Sequence, residues 1–212
     1  MSLHPPRGAA KLSCIEGLER LTGLEELDLS YNRIKRIEGL GTLEKLTVLN
    51  LAENNIERLD VTGLEWLVNL EHLNLSGNKL ERLPQLEGNL RSLRVLRLAR
   101  NGLHELEDIN HLSSLPNLVS LTLMGNPLIR DSHSADFVVY TLKTLDILDG
   151  ENVSLDMRKE ARKRFERVEV DKLKKALAQA ENAAAASEAR LLESQTDMEH
   201  ERSEKEQLQR KI

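Results

Sequence analysis

The segment 46–56 reads LTVLNLAENNI, with apolar residues at its first, fourth, sixth and eleventh positions and an asparagine at its ninth. The same pattern, L-x-x-L-x-L-x-x-N-x-[L/I], recurs with its asparagines 22 to 25 residues apart. The five segments that carry it are 24–34, 46–56, 70–80, 93–103 and 118–128. Because an eleven-residue pattern that recurs in register indicates a repeat architecture, we expect one structural unit to be stacked several times.

Each half of the repeat predicts its own local structure. The alternating leucines predict a short strand with its apolar side chains on one face. The asparagine side chain is suited to bond backbone groups where the chain turns out of that strand. The second half, as in Ile37, Leu40 and Leu43, has apolar residues at intervals of three, which is typical of a helical or 3₁₀ turn. One repeat cannot bury its leucines alone, so stacking must form the core.

Composition agrees with a leucine-built solenoid. The chain of 212 residues contains 42 leucines, roughly twice ordinary usage, and a formal charge of −5. Its few aromatic residues are Tyr31, Trp66, Phe137, Tyr140 and Phe165. A single cysteine excludes an intramolecular disulfide framework and a cysteine-rich zinc site, and it fits a reducing compartment.

These segments resemble the leucine-rich-repeat family in its short, 22-residue intracellular form, over residues 12 to 150. The resemblance implies an α/β solenoid, a right-handed curved array whose parallel strands line the concave side. The run from Tyr140 to Ala161 resembles the C-terminal cap of such arrays, with Lys143 where that cap usually has proline. We therefore assign residues 12–155 to the solenoid and its cap.

The N-terminal segment, residues 1–11, departs from the repeat. Aligning Leu12 with Ile34 places Pro5 opposite the strand residue Leu27, so the strand half of this unit has lost its pattern. Two interpretations remain: a degenerate cover, or a chain that begins inside a longer array. We favour the second.

The tail, residues 156–212, predicts one long helix. Ser154 is a suitable N-cap, and no glycine or proline follows it. Heptad a and d positions counted from Val170 are apolar at nine of thirteen places, which favours a coiled coil and self-association. Several a and d positions in the middle of the tail are alanines, which bury little apolar surface between helices. The alternative is therefore a single solvated helix that is stabilised by ion pairs along its surface.

We find no pattern that predicts catalysis. The six histidines lack metal-ligand spacing, and neither a phosphate-binding loop nor a nucleophile elbow is present. We therefore expect no catalytic, cofactor-binding or metal-binding residues, and no enzyme. The basic run 158–164 is interrupted by Glu160 and predicts a solvated helix face, so we expect no nucleic-acid partner. The uncharged stretch 112–129 carries several polar side chains and two prolines, which argues against a membrane span.

A protein partner on the concave face is the remaining expectation. Residues beside the strand leucines should point to that side, and their charge changes from acidic in the first repeats to basic in the fourth. The predicted protein-binding residues are Glu26, Asp28, Tyr31, Asn50, Glu53, His72, Asn74, Arg94, Arg97 and Arg100. A partner of complementary polarity would be oriented as well as attracted.

The junction between the repeats and the predicted coil resembles a particular class of repeat protein, which makes the expected function more specific. The segments 89–98 and 118–121, together with residues 145–165 that lead directly into a coil, are similar to centriolin-type proteins, large coiled-coil components of the centrosome and ciliary base. The resemblance implies a cytoplasmic, cytoskeletal scaffold. The alternative is a regulatory subunit that holds a protein phosphatase 1-like catalytic subunit. A dynein-associated light chain is disfavoured because such chains lack a long coil.

Overall fold

The computed structural model describes residues 2–3, 11–86, 90–130 and 132–209. The chain divides into two compact units, Met1–Arg162 and Lys163–Ile212. The first unit contains the repeats, and the second contains most of the C-terminal helix.

One sheet runs through the whole of the first unit. Its strands follow one another in sequence order and pair in parallel, except for the last two, which form an antiparallel hairpin. The strands are β1 (Ser2–Leu3), β2 (Glu26–Asp28), β3 (Val48–Asn50), β4 (His72–Asn74), β5 (Val95–Arg97), β6 (Ser120–Thr122), β7 (Ile147–Leu148) and β8 (Glu151–Asn152). The predicted α/β solenoid with parallel strands is therefore confirmed.

The core consists of the repeated leucines. The central leucine of each repeat strand is buried, and Leu49, Leu96 and Leu121 are fully inaccessible to solvent. Short 3₁₀ helices, Val61–Gly63, Leu106–Ser114 and Pro127–Arg130, and one α-helix, α1 (Ser134–Thr141), lie between strands. Burying a leucine side chain contributes about 2 kcal/mol, so the stack of equivalent positions is the main source of stability.

Two local expectations need correction. Around Ile37 the chain forms no helical turn, and Gly39 adopts a left-handed φ of 72°. The 3₁₀-type turns come later in the segment, where the N–H groups of Leu43 and Leu46 donate to the Leu40 and Leu43 carbonyls. At the N-terminus, Leu3 pairs with Leu27, the place that the repeat spacing predicted for Pro5. Proline has no N–H for a parallel ladder, whereas leucine does. Pro5 itself lies outside the described residues.

The helix α2 (Leu155–Gln209) begins at the predicted cap. The Ser154 hydroxyl accepts a hydrogen bond from the Met157 N–H at 3.1 Å. In the first turns, Ala161 is completely buried and the Arg158 guanidinium donates to the Leu145 carbonyl. The beginning of α2 is therefore part of the solenoid's cap.

Candidate protein-interaction face

Strand pairing aligns the predicted residues in two columns across the sheet. Each strand presents one residue before and one after its buried leucine, and the register joins equivalent residues of successive repeats. The first column is Glu26, Val48, His72, Val95 and Ser120, and the second is Asp28, Asn50, Asn74, Arg97 and Thr122. We call the surface formed by these two columns the strand face. The sequence predicted correctly which residues are aligned in each column.

Most of the second column also stabilises the backbone. The side-chain oxygens of Asp28, Asn50 and Asn74 accept the N–H of the residue two positions later, at 2.9, 3.2 and 3.1 Å. Such turns hold the chain as it leaves each strand. Arg97 ends β5 in place of a short polar side chain and is exposed, so its guanidinium is available at the surface.

A third set of residues lies just beyond the strands in a left-handed conformation. They are Tyr31, Glu53 and Arg100, three of the predicted binding residues, and their φ values are 60°, 56° and 53°. Gly77 and Gly125 occupy the equivalent places with φ of 69° and 79°. The positive φ was not predicted, although two glycines at this repeat position are the signal for it.

Gly77 allows an ion pair between repeats that are not adjacent. The Arg100 guanidinium donates to a carboxylate oxygen of Glu53, 47 residues earlier in the chain. A Cβ at Gly77 would lie 2.5 Å from Glu53 Oε1, so any larger side chain would displace this carboxylate. Two of the predicted binding residues are therefore paired with each other in the absence of a partner.

A shallow depression of about 150 Å³ lies at the centre of the face. Its rim and floor combine apolar, amide and charged groups from three adjacent strands: Val48, Asn50, His72, Asn74, Val95 and Arg97. Arg94, one residue before β5, is exposed. Tyr31 is 70% exposed, so an aromatic side chain stands at the first repeat. Partly apolar surface with exposed Tyr and Arg is typical of protein interfaces.

Beneath this face, buried asparagines connect successive repeats. The Asn54 amide donates to Leu29 and Leu51 carbonyls and accepts from the Ile34 N–H at 3.0 Å. Asn78, Asn101 and Asn126 repeat this arrangement. The bonds within a repeat were predicted, and those that cross to the preceding repeat were not.

An ion pair on another side of the solenoid was also missed. Arg82 holds Asp108 through two hydrogen bonds, of 2.7 and 2.8 Å, and the Leu83 N–H adds a third at 3.0 Å. The hydrogen bond from Arg82 lowers the pKa of Asp108 below its ordinary value of 3.8. The 3₁₀ helix Leu106–Ser114 lies between the fourth and fifth asparagines, whose 25-residue step is the longest of the four.

Among the described residues, no three potential metal-binding side chains come together. Within the same part of the chain, no helix combines the length and apolarity that a membrane crossing requires.

Sequence comparisons find several repeat proteins. Mouse centriolin is 37% identical over 71 residues, which cover 34% of this chain and 3% of centriolin. Human U2 small nuclear ribonucleoprotein A' is 36% identical over 80 residues, which cover 38% of this chain and 31% of that protein. The matched part of this chain therefore spans less than a third of either relative. The predicted resemblance to centriolin is confirmed over that part.

Solved structures and a family profile also match this chain. The crystal structure of the Drosophila melanogaster SNF/U2A' complex aligns with a TM-score of 0.64 at 28% identity, covering 70% of this chain and 86% of the matched chain. Internalin C2 of Listeria monocytogenes aligns with a TM-score of 0.53 at 30% identity, and the alignment covers 65% of this chain and 56% of the internalin chain. The family profile described as leucine-rich repeat matches residues 11–178. Because that match includes well over half of the chain, the protein belongs to the leucine-rich repeat family, whose repeats are protein-interaction domains.

Proposed function

We propose that this protein is a non-enzymatic, protein-binding scaffold of the cytoskeleton, at the centrosome or ciliary base. Its strand face binds a partner, and α2 joins copies of the chain through a coiled coil. The observation that carries the proposal is the strand face itself, on which exposed His72 and Arg97 border a partly apolar depression at Val48 and Val95. The structure similar to this chain that contains U2A' is a complex, which supports a protein partner.

The exposed apolar residues of α2 support self-association. Val170, Leu173 and Leu177 are 47%, 64% and 60% exposed and recur at the three- and four-residue steps of a heptad. A coiled coil buries such residues against a second helix. The seam positions from Leu191 onward lie outside the residues whose side chains the structure describes.

The cellular location is proposed from likeness alone. The centriolin match supports the centrosome or ciliary base. The match to a small nuclear ribonucleoprotein component makes the nucleus the competing location. The test is to image the tagged chain in dividing and ciliated cells, with and without residues 163–212. Signal at centrosomes or ciliary bases that requires the tail supports the scaffold. Nuclear signal, or diffuse signal unchanged by the deletion, contradicts it.

The binding face is tested separately by filling its depression. His72→Trp places a large ring among Val48, Val95 and Arg97, and we expect it to remove the partners recovered by proximity labelling. His104→Trp, at an exposed histidine outside the strand columns, is the matched control. An unchanged set of labelled proteins with His72→Trp contradicts the proposed face, provided that thermal unfolding shows an intact fold.

The alternative is a regulatory subunit of a protein phosphatase 1-like catalytic subunit. It requires the same strand face but no tail. It predicts a one-to-one complex that survives deletion of residues 163–212, whereas the scaffold predicts a changed stoichiometry. Light scattering of the purified complex separates the two.

A further inference from the structure

Three arginines of a single repeat lie in and beside β5, and we call them the basic row: Arg94 before the strand, Arg97 at its end and Arg100 in the turn that follows. All three are exposed. Successive members are three residues apart in the sequence. The row is a local concentration of positive charge in a chain whose formal charge is −5.

The surroundings of Arg97 leave its charge uncompensated by the adjacent strands. Its registered neighbours are Asn74 in β4 and Thr122 in β6, both uncharged. Arg97 also lines the depression, whose apolar residues include Val48 and Val95. A guanidinium next to partly apolar surface binds a carboxylate through two parallel hydrogen bonds.

Arg100 already has a carboxylate partner, but that partner belongs to the chain. Glu53 reaches it across Gly77 only because glycine has no side chain in the way. The Arg100 and Glu53 side chains are 69% and 30% exposed, so water screens their attraction. Such a pair is readily exchanged for an equivalent contact with another molecule.

We propose that the basic row binds an acidic segment of the partner protein, with Arg97 as the central contact and Glu53 as the internal carboxylate that competes for Arg100. The proposal rests on the proposed function, since it states the chemistry of the partner on the strand face. An extended acidic segment presents every second carboxylate on one face, so a run of Asp or Glu residues offers several carboxylates to these arginines. Binding frees Glu53 from Arg100 as the partner's carboxylate takes its place.

The experiment measures binding of a fluorescein-labelled deca-glutamate peptide to the full chain by fluorescence anisotropy at low salt. Neutralising the row with Arg94→Gln and Arg97→Gln is expected to weaken binding about tenfold. Neutralising Arg33 and Arg58, exposed arginines outside the strand columns, is the matched control and should change affinity less than about twofold. Glu53→Gln should tighten binding up to about fivefold, because Arg100 is released.

Equal weakening by both double variants overturns the basic row as the site. Tighter binding of single-stranded oligothymidylate of equal charge than of deca-glutamate overturns the acidic-peptide chemistry. Weaker binding by Glu53→Gln overturns the competing role of Glu53, since it would mean that the carboxylate positions Arg100.

Proximity labelling separates this proposal from the proposed function. If His72→Trp removes the labelled partners and neutralising Arg94 and Arg97 does not, the strand face is supported as the binding surface. The same result contradicts the role of the basic row. If neither variant changes the labelled partners, the proposed binding face itself fails.

Discussion

Single asparagine side chains join neighbouring repeats. Asn78 accepts from the Ile56 N–H at 2.9 Å and donates to the Leu51 and Leu75 carbonyls, and it is 8% exposed. Water cannot replace these bonds in the stack, so each buried amide both closes its own turn and fixes the preceding one. At this scale, the chemistry of one residue determines how two repeats stack.

Asn78→Ala is expected to lower the free energy of unfolding by about 1–3 kcal/mol, because buried backbone groups lose their partners. Asn74→Ala, on the partly exposed strand face, removes one local bond and should cost less than about 1 kcal/mol. Urea denaturation followed by circular dichroism measures both. Equal losses would contradict the inter-repeat role of Asn78.

Gly63 shows how closely adjacent turns approach. A Cβ there would lie 1.9 Å from the Ile37 carbonyl oxygen, whereas one at Gly23 would meet nothing within 4 Å. Gly63→Ala should therefore destabilise the chain by about 1–3 kcal/mol, since the backbone must shift. Gly23→Ala should be neutral or stabilise by up to about 1 kcal/mol. Thermal unfolding of the two variants tests the contrast, and a stable Gly63→Ala would show that the turns are further apart.

Among the elements, the 3₁₀ helix Leu106–Ser114 is held by a polar contact as well as by its buried Ile109 and Leu112. Asp108 is 3% exposed, and it connects this helix to Arg82 and to the Leu83 N–H of the preceding repeat. Its carboxylate must be ionised to accept all three hydrogen bonds well. The attachment of the helix therefore depends on pH.

Asp108→Asn should lower the free energy of unfolding by about 1–3 kcal/mol at neutral pH. The folded-state pKa of Asp108 lies below its ordinary value of 3.8, so the stabilisation is fully present above that value. It is lost as the pH falls through the lower, folded-state pKa, and the difference between wild type and variant should shrink there.

Chemical denaturation between pH 2.5 and 7 measures this difference. Glu107→Gln, an exposed carboxylate of the same helix, is the control and should show little pH-dependent difference. A difference between wild type and Asp108→Asn that is constant with pH would contradict the role of the charge.

At the scale of the whole molecule, the boundary between solenoid and tail lies inside α2. The compact first unit ends at Arg162, and the helix begins at Leu155. Residues 155–162 close the solenoid through buried Ala161 and through Arg158, whose guanidinium donates to Leu145. We propose that exposed residues further along the helix, Val170, Leu173 and Leu177, associate between chains.

A chain that ends at Arg162 should keep the thermal stability of the solenoid, whereas one that ends at Asp156 should unfold at a lower temperature because its cap is open. Differential scanning calorimetry compares the two. Light scattering should show that the full chain is larger than a monomer and that the chain ending at Arg162 is a monomer. Equal unfolding temperatures would contradict the capping role of residues 157–162.

The sequence by itself determined the repeat, the strand register and which residues share the strand face, because a leucine pattern with its asparagine signals its own periodicity. It also identified Ser154 as the helix cap. Tertiary structure alone decided the pairing of Glu53 with Arg100, the anchor between Arg82 and Asp108, and the cross-repeat bonds of the asparagines. These contacts join residues more than twenty positions apart, so they depend on how far one repeat is rotated and shifted against the next. No local pattern encodes that displacement, which results from the packing of all the repeats together.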